Sequence, residues 1–414
     1  MPDHMPIYIG DYAVEEFIKF CKKSNYQKYL LIVDENTYRV LGKRAHEAMR
    51  NESWDVQSVI LHPDGLHADS VTISRVFAVY DGQPRLFVAV GSGTITDTAR
   101  FTSHRSQNPF ISLPTAASVD AYTSVNSAMT IGELKGSIYC QAPIAIFTNI
   151  PTIVESPKWL TASGFGDLTS KFTSSSDWKF THIIWRSKYD PEIYEKALGA
   201  AKQAAAVAEG IVTHDPKSMA AMMQGQFDSG FSMADFGNSA PASGGEHHIA
   251  HIWEMMFHWA GREGLYHGNA VGVAAIIEAE WYERLRKLSK KDAEELLSLA
   301  KVPSRMEQEK IIRTELPEIA EELIESNPIY MQLSDPQVLE RVKKNILDNW
   351  DEIQAITANV PPAGQFRTWL KSLGGPTTTA ELDLSQKQAQ TAIDHGHYLR
   401  ERFSINNIRK LFGW

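Results

Sequence analysis

The apolar patterning of the chain changes character once, and that change limits what it can fold into. Over the first 150 residues the runs YLLIVD (29–34), SVILH (58–62), LFVAVGSG (86–93) and FISLPT (110–115) alternate with helical stretches such as residues 11–23. Apolar runs of this length mark strands covered on both faces, as in a parallel sheet. Strand and helix in alternation predict a doubly wound, nucleotide-binding sheet. Past residue 157 the strand signal stops. Residues 193–211, 268–288, 291–300 and 336–358 repeat with helical period and carry their charges on one face. Residues 391–404, TAIDHGHYLRERFS, read as a helix near the end. The expected architecture is an α/β N-terminal nucleotide-binding domain over residues 1–156 and an all-α C-terminal domain over residues 157–414. A chain of 414 residues exceeds what one core serves, which agrees with two lobes.

Composition removes several classes of function. The net charge of -9 argues against a surface that tracks nucleic-acid phosphates. No apolar run approaches the roughly 20 residues of a membrane span. MPDHMPIYIGDY at the start lacks the charged-then-apolar organisation of a secretory signal. Cys21 and Cys140 are the only cysteines, too few for a disulfide framework or a thiolate metal cluster. These features lead us to expect a cytoplasmic protein with neither a nucleic-acid nor a membrane partner, and a homodimer by the prevalence of two-fold oligomers.

In LFVAVGSGTITD, Gly91 and Gly93 stand between a buried strand and a helix. Glycines there allow a tight turn, and free N–H groups at a helix start favour a pyrophosphate. An ordinary strand-to-helix turn would look the same, and the third glycine of GxGxxG is absent, with Thr96 in its place. Asp34 closes the first strong strand. It can hydrogen-bond an adenine ribose, favouring NAD(H) over NADP(H), or it can cap the helix that follows.

SGGEHHIAH (243–251) crowds three histidines into one helical stretch. His247 and His251 are four apart and share a face, while His248 points elsewhere. Such spacing suits a metal or an anionic substrate, although surface or hydrogen-bonded histidines are the plainer reading. His267 opens the next apolar helix, and Asp167 follows a Gly-rich turn where it could also be a helix cap. One aspartate with two histidines would leave open positions on a catalytic metal. Zinc, nickel, iron and cobalt all accept that donor set, so the site type is better determined than the metal. Glu246 projects about 100° from His247 and is expected as a surface or supporting acceptor.

Five motifs in order, GSGTITD, LPTAASVDAYTS, ASGFGDLTSKFTSSSDW, SGGEHHIAH and YHGNAVG, together with the final HYLRERFS, resemble the sn-glycerol-1-phosphate dehydrogenase family. Within it the chain is most similar to the bacterial, AraM-like members, in the dehydroquinate synthase-like and iron-alcohol-dehydrogenase superfamily. The resemblance implies a dehydroquinate synthase-like fold, and NAD(H)- or NADP(H)-linked reduction of dihydroxyacetone phosphate. It also implies one divalent metal per subunit, zinc or nickel, on Asp167, His247 and His267. Gly91, Ser92, Gly93, Thr94 and Asp97 would meet the pyrophosphate, and Thr115, Ala116, Ser118 and Ser124 the nicotinamide side. Asp120 and His251 would face the substrate as catalytic groups, beside the metal-binding Asp167, and Lys135 would take the substrate phosphate. Thr148 and Asn149 depart from the Ala-Asp that such proteins often carry. Other chemistries on the same scaffold are a dehydroquinate-synthase-like cyclisation and another metal-dependent polyol or alcohol dehydrogenation. A nucleotide- and metal-binding protein without turnover is the alternative of another class.

Overall fold

The computed structural model describes residues 5–131 and 134–414. The chain folds into two compact units, Met1–Leu168 with Gln203–Asp235, and Thr169–Lys202 with Phe236–Trp414. It therefore re-enters the first unit after residue 202, a return that a single cut after residue 156 does not contain.

The first unit is built on six parallel strands: β1 (Ile7–Gly10), β2 (Lys28–Asp34), β3 (Asp55–Leu61), β4 (Leu86–Gly91), β5 (Phe110–Pro114) and β8 (Ala145–Asn149), in the order β1-β8-β5-β4-β2-β3. The hairpin of β6 (Asn126–Ile131) and β7 (Leu134–Tyr139) forms a separate two-stranded sheet. The apolar runs of β2, β4 and β5 have the cause inferred for them, whereas SVILH belongs to the edge strand β3, where Ile60 is exposed. Tyr29, Leu31 and Val33 join one buried cluster with the Ala13–Ser24 helix, while Leu30 and Ile32 join another with Phe87 and Ala89. Both faces of β2 are thus covered. Short β1 and β8 went unread as part of this sheet, and β8 lies between β1 and β5, pairing Ile7 with Ile146 and Ile111 with Ala145.

From β2 the chain steps to β3 on one side, then returns to β4 on the other and continues outward to β5. That reversal makes the carboxyl ends of β2 and β4 the switch point of the sheet, the place where open α/β sheets bind ligands. Asp34 and Gly91 end those two adjacent strands.

The second unit is helical, with no strand among its described residues. Its helices start where local capping dictates: Ser289, Ser304 and Ser385 each form a capping box with the residue three further on. The periodic stretch 336–358 breaks at Asn349 into Pro336–Asp348 and Trp350–Thr357. The final helix is shorter than its pattern suggests. It runs over Gln386–His395, passes into a single tight turn at Gly396–Tyr398, and a new helix starts at Ile405. The break has a steric reason, since Gly396 lies against Ile249 and the His397 and Tyr398 side chains turn inward and are buried. Among the described residues no helix is long and apolar enough to cross a membrane. Cys21 and Cys140 are buried free thiols.

Candidate active site

At the switch point, Gly91 ends β4 and Gly93 opens the helix Gly93–Arg105, with Ser92 at the N-cap in extended conformation. A side chain is excluded at position 91, because a Cβ there would sit 2.5 Å from the Cβ of Ile95. The Ser92 side chain makes no cap hydrogen bond, so the first amides of this helix are not capped by it. That is the geometry of an anion site at a helix N-terminus. Asp97 is placed differently from the other residues of this motif. Its carboxylate meets the fully buried Arg100 at 2.6 Å. Arg100 in turn donates to the carbonyls of Asn126 at 2.9 Å, Ala121 at 2.7 Å and Tyr122 at 3.0 Å. Asp97 thus anchors the loop after β5 through Arg100, which compensates its negative charge. Arg100 was not singled out from sequence, because a lone arginine in a helix ordinarily reads as a solvated face.

Asp34 performs the cap alternative. Its carboxylate accepts from the amides of Asn36 at 2.8 Å and Thr37 at 3.0 Å and from Thr37 Oγ1 at 3.0 Å, a complete capping box. Thr115, Ala116, Ser118 and Ser124 are all buried in the loop after β5. Tyr122 ties that loop together by donating to the Ala116 carbonyl at 2.6 Å. Asp120 lies in the same loop: its amide donates to Asp167 at 3.1 Å, and its carboxylate accepts from Ser229 Oγ at 2.6 Å. Asp167, in the helix Lys158–Thr169, is fully buried. Close approach of this helix to the loop requires Gly164, whose Cβ would fall 1.9 Å from the Ala117 carbonyl oxygen. Asn149 caps the helix Ile150–Val154, accepting from Thr152 N at 3.1 Å, while its Nδ2 donates to the Asp11 carbonyl at 2.9 Å. The second bond needs an amide, which accounts for the departure from aspartate. Lys135 lies in β7, paired with Thr130; its side chain falls outside the described residues.

In the second unit the helix Gly245–Trp259 carries Glu246, His247, His251 and Glu254, and His267 opens the helix His267–Arg286. The structure brings the three imidazoles together. Ring centroids of His247 and His267 are 5.2 Å apart, those of His251 and His267 5.3 Å, and those of His247 and His251 6.0 Å. Each ring is held at Nδ1 by a carboxylate: His247 by Glu246 at 2.6 Å, His251 by Glu254 at 3.0 Å and His267 by Glu254 at 2.8 Å. An Nδ1 so engaged carries the proton in the neutral ring, which leaves Nε2 as the lone-pair donor. This is how histidines are prepared to ligate a metal, and nitrogen donors of this kind fit zinc, nickel or iron.

Glu246 is therefore a supporting acceptor, though fully buried and not on the surface. Glu254, equally buried, bridges two imidazoles with its two oxygens and was missed. Its signal was available, because positions 247, 251 and 254 form a single helical stripe. Burial pushes His251 down to about 4, against the opposing pull of Glu254, so its ring is neutral at pH 7 rather than near its titration midpoint. His248 does point away from this face, but into the interior: it is 1% exposed, and neither ring nitrogen has a hydrogen-bond partner among the described residues.

Residues 8–157 match the family model of iron-containing alcohol dehydrogenases. A glycerol-1-phosphate dehydrogenase [NAD(P)+] of Pyrococcus furiosus is 30% identical over 278 residues, 66% of this chain and 77% of that protein. The chain belongs to the glycerol-1-phosphate dehydrogenase family. The enzyme of the same name from Geobacillus thermodenitrificans is 28% identical over 403 residues, covering 96% of this chain and 90% of that one. Among solved structures, a probable glycerol dehydrogenase from Sinorhizobium meliloti superposes with a TM-score of 0.62 at 14% identity, over 99% of this chain and 95% of its own. The glycerol dehydrogenase of Schizosaccharomyces pombe gives 0.54 at 16% identity, over 90% and 92%. The structural likeness establishes a shared dehydroquinate synthase-like fold.

Proposed function

We propose that this chain is a metal-dependent, NAD(P)-linked oxidoreductase that reduces dihydroxyacetone phosphate to sn-glycerol 1-phosphate and catalyses the reverse oxidation. The observation that carries the reading is the trio of imidazoles pinned at Nδ1 by buried carboxylates, in a chain whose named relatives are glycerol-1-phosphate dehydrogenases. His247 and His267 hold the metal, with Asp167 as the third donor by family resemblance; zinc and nickel both suit two imidazoles and a carboxylate. When bound, a divalent cation supplies Lewis acidity toward the ketone oxygen on which charge develops.

The remaining work falls to the chain's own groups. The amides from Gly91 to Thr94 hold the dinucleotide pyrophosphate, and Thr115, Ala116, Ser118 and Ser124 border the nicotinamide. His251, neutral and held by Glu254, passes a proton to or from the substrate oxygen without storing it. Asp120, fixed by Ser229, orients the substrate, and Lys135 meets its phosphate.

A cyclase of the dehydroquinate synthase kind would use the dinucleotide transiently and consume none overall. The deciding test is stoichiometry. With metal-reconstituted protein and dihydroxyacetone phosphate, one NADH or NADPH should disappear per glycerol phosphate formed; turnover without net consumption, or metal binding without turnover, would overturn the proposal.

A further inference from the structure

Behind His247 the chain buries three carboxyl groups, Asp177, Glu246 and Glu278, with one oxygen of each within 4.8 Å of the others. None is more than 1% exposed. Three ionised groups so close and so dry would repel one another strongly, with no water to screen them. The donors around each therefore decide where charge resides.

Asp177 accepts from Tyr282 Oη at 2.6 Å and from the amides of Gly245 at 2.9 Å and Ile405 at 2.7 Å. Glu246 accepts from the amide of Gly244 at 2.8 Å, from Thr173 Oγ1 at 3.0 Å and from the His247 ring at 2.6 Å. The three donors on each favour the ionised form, although at Asp177 burial and the Glu246 charge outweigh them and push it up to about 7. Glu278 has far weaker support: among the described residues neither of its oxygens makes a well-formed hydrogen bond, and only the backbone of Glu246 lends its carboxylate any. Its carboxyl nevertheless lies in hydrogen-bond contact with Glu246. Two carboxylates cannot share such a contact unless a proton lies between them.

The geometry points to Glu278 as a protonated carboxylic acid that donates its hydrogen bond to Glu246, a positioning residue that fixes the carboxylate holding His247. This rests on the reading of His247 as a metal ligand. Burial beside Asp177 and Glu246 pushes Glu278 well above the ordinary carboxyl range, whereas the three donors on Glu246 favour its ionised form. The proton therefore belongs to Glu278. The chain runs Glu278 to Glu246 to His247 Nδ1, and its product is an Nε2 lone pair held in one direction.

Two variants of the full chain test this, compared with the parent in the zinc-loaded form. Glu278→Gln keeps a neutral donor of the same shape; Glu278→Met keeps the volume and removes the donor. Zinc affinity, measured by chelator competition, should stay near the parent value in Glu278→Gln and fall by about 10- to 100-fold in Glu278→Met, the scale of losses when support of a metal-binding histidine is removed. The infrared spectrum of the parent at neutral pH should contain a protonated-carboxyl carbonyl stretch that is lost in Glu278→Gln and kept in Asp177→Asn, the control for Asp177, which burial and the Glu246 charge push up to about 7. The proposal is overturned if that band is missing, if Glu278→Gln loses zinc as badly as Glu278→Met, or if Glu278→Met binds like the parent. Should Glu278→Met not fold, the infrared comparison decides alone. A parent that binds no zinc would sink the reading of His247 instead, with the band still reporting on the proton.

Discussion

Replacing Glu254 by glutamine changes one atom and should disable the imidazole cluster. In the parent its two oxygens accept from His267 Nδ1 at 2.8 Å and His251 Nδ1 at 3.0 Å. A glutamine has one carbonyl oxygen and one NH2 group, so it can satisfy only one of these N–H donors. The other ring must either leave an N–H facing an N–H or move its proton to Nε2, and a ring protonated at Nε2 cannot ligate through it. One hydrogen bond to a charged group is lost, about 1.5–3 kcal/mol. At about 1.4 kcal/mol per factor of ten, that corresponds to roughly 10- to 100-fold in metal affinity where His267 loses its acceptor, or in turnover where His251 loses it. Chelator competition with zinc measures it directly, and circular dichroism checks that the helix survives. Parent-like zinc affinity together with parent-like turnover in a folded Glu254→Gln protein would refute the claim that Glu254 sets the tautomers of these rings.

Gly91→Ala should destabilise the protein by about 1–3 kcal/mol, the usual cost of overpacking, and weaken dinucleotide binding, as read by thermal melts with and without NADH. Asp34→Ala should cost about 1 kcal/mol through the lost helix cap, measured by urea denaturation; Asp34→Ser should keep the cap and recover most of it. His247→Ala should lose metal and activity together. His251→Ala should keep metal by elemental analysis while turnover falls by about 10²-fold or more. The metal-free protein should also be acid-sensitive in a defined window. Burial holds His251 at about 4, and His248 and His397 are lowered for the same reason. Unfolded imidazoles titrate at about 6.5, so the unfolded state takes up protons first as pH falls. The contribution of these groups is complete above that value and is lost as pH falls below it, for His251 between about 6.5 and 4. Urea midpoints that stay flat across this range would show that these rings are not buried in their neutral form.

How far the sequence could be read follows from what each residue type announces. The inner strands β2, β4 and β5 stood out because burial on both faces leaves no polar alternation. The outermost β1 was obscured by length and half-burial: IYIG is four residues, all of them partly exposed. The hairpin of β6 and β7 has small and polar residues on alternating positions, with no apolar run to mark it. At the site, His247, His251 and His267 announced themselves through spacing and resemblance. Their supports did not. Glu254, Glu278 and Asp177 sit in helices where a carboxylate ordinarily marks the solvent face, and only three-dimensional packing reveals that each is buried. Asp34 could be read as a cap or a ribose ligand, and a carboxylate that ends a strand before a helix looks alike in both roles. Its capping partner, Thr37, three residues on, signals the cap that the structure shows.

The central claim is metal-dependent hydride transfer to a ketone phosphate, and the rate of NADH oxidation with dihydroxyacetone phosphate, before and after metal is returned to stripped protein, tests it most directly. The stripped protein should be inactive, zinc or nickel should restore the rate, and the product should be the sn-glycerol 1-phosphate enantiomer alone. Full activity without metal, formation of the 3-phosphate enantiomer, or turnover only of an unphosphorylated alcohol would contradict the account.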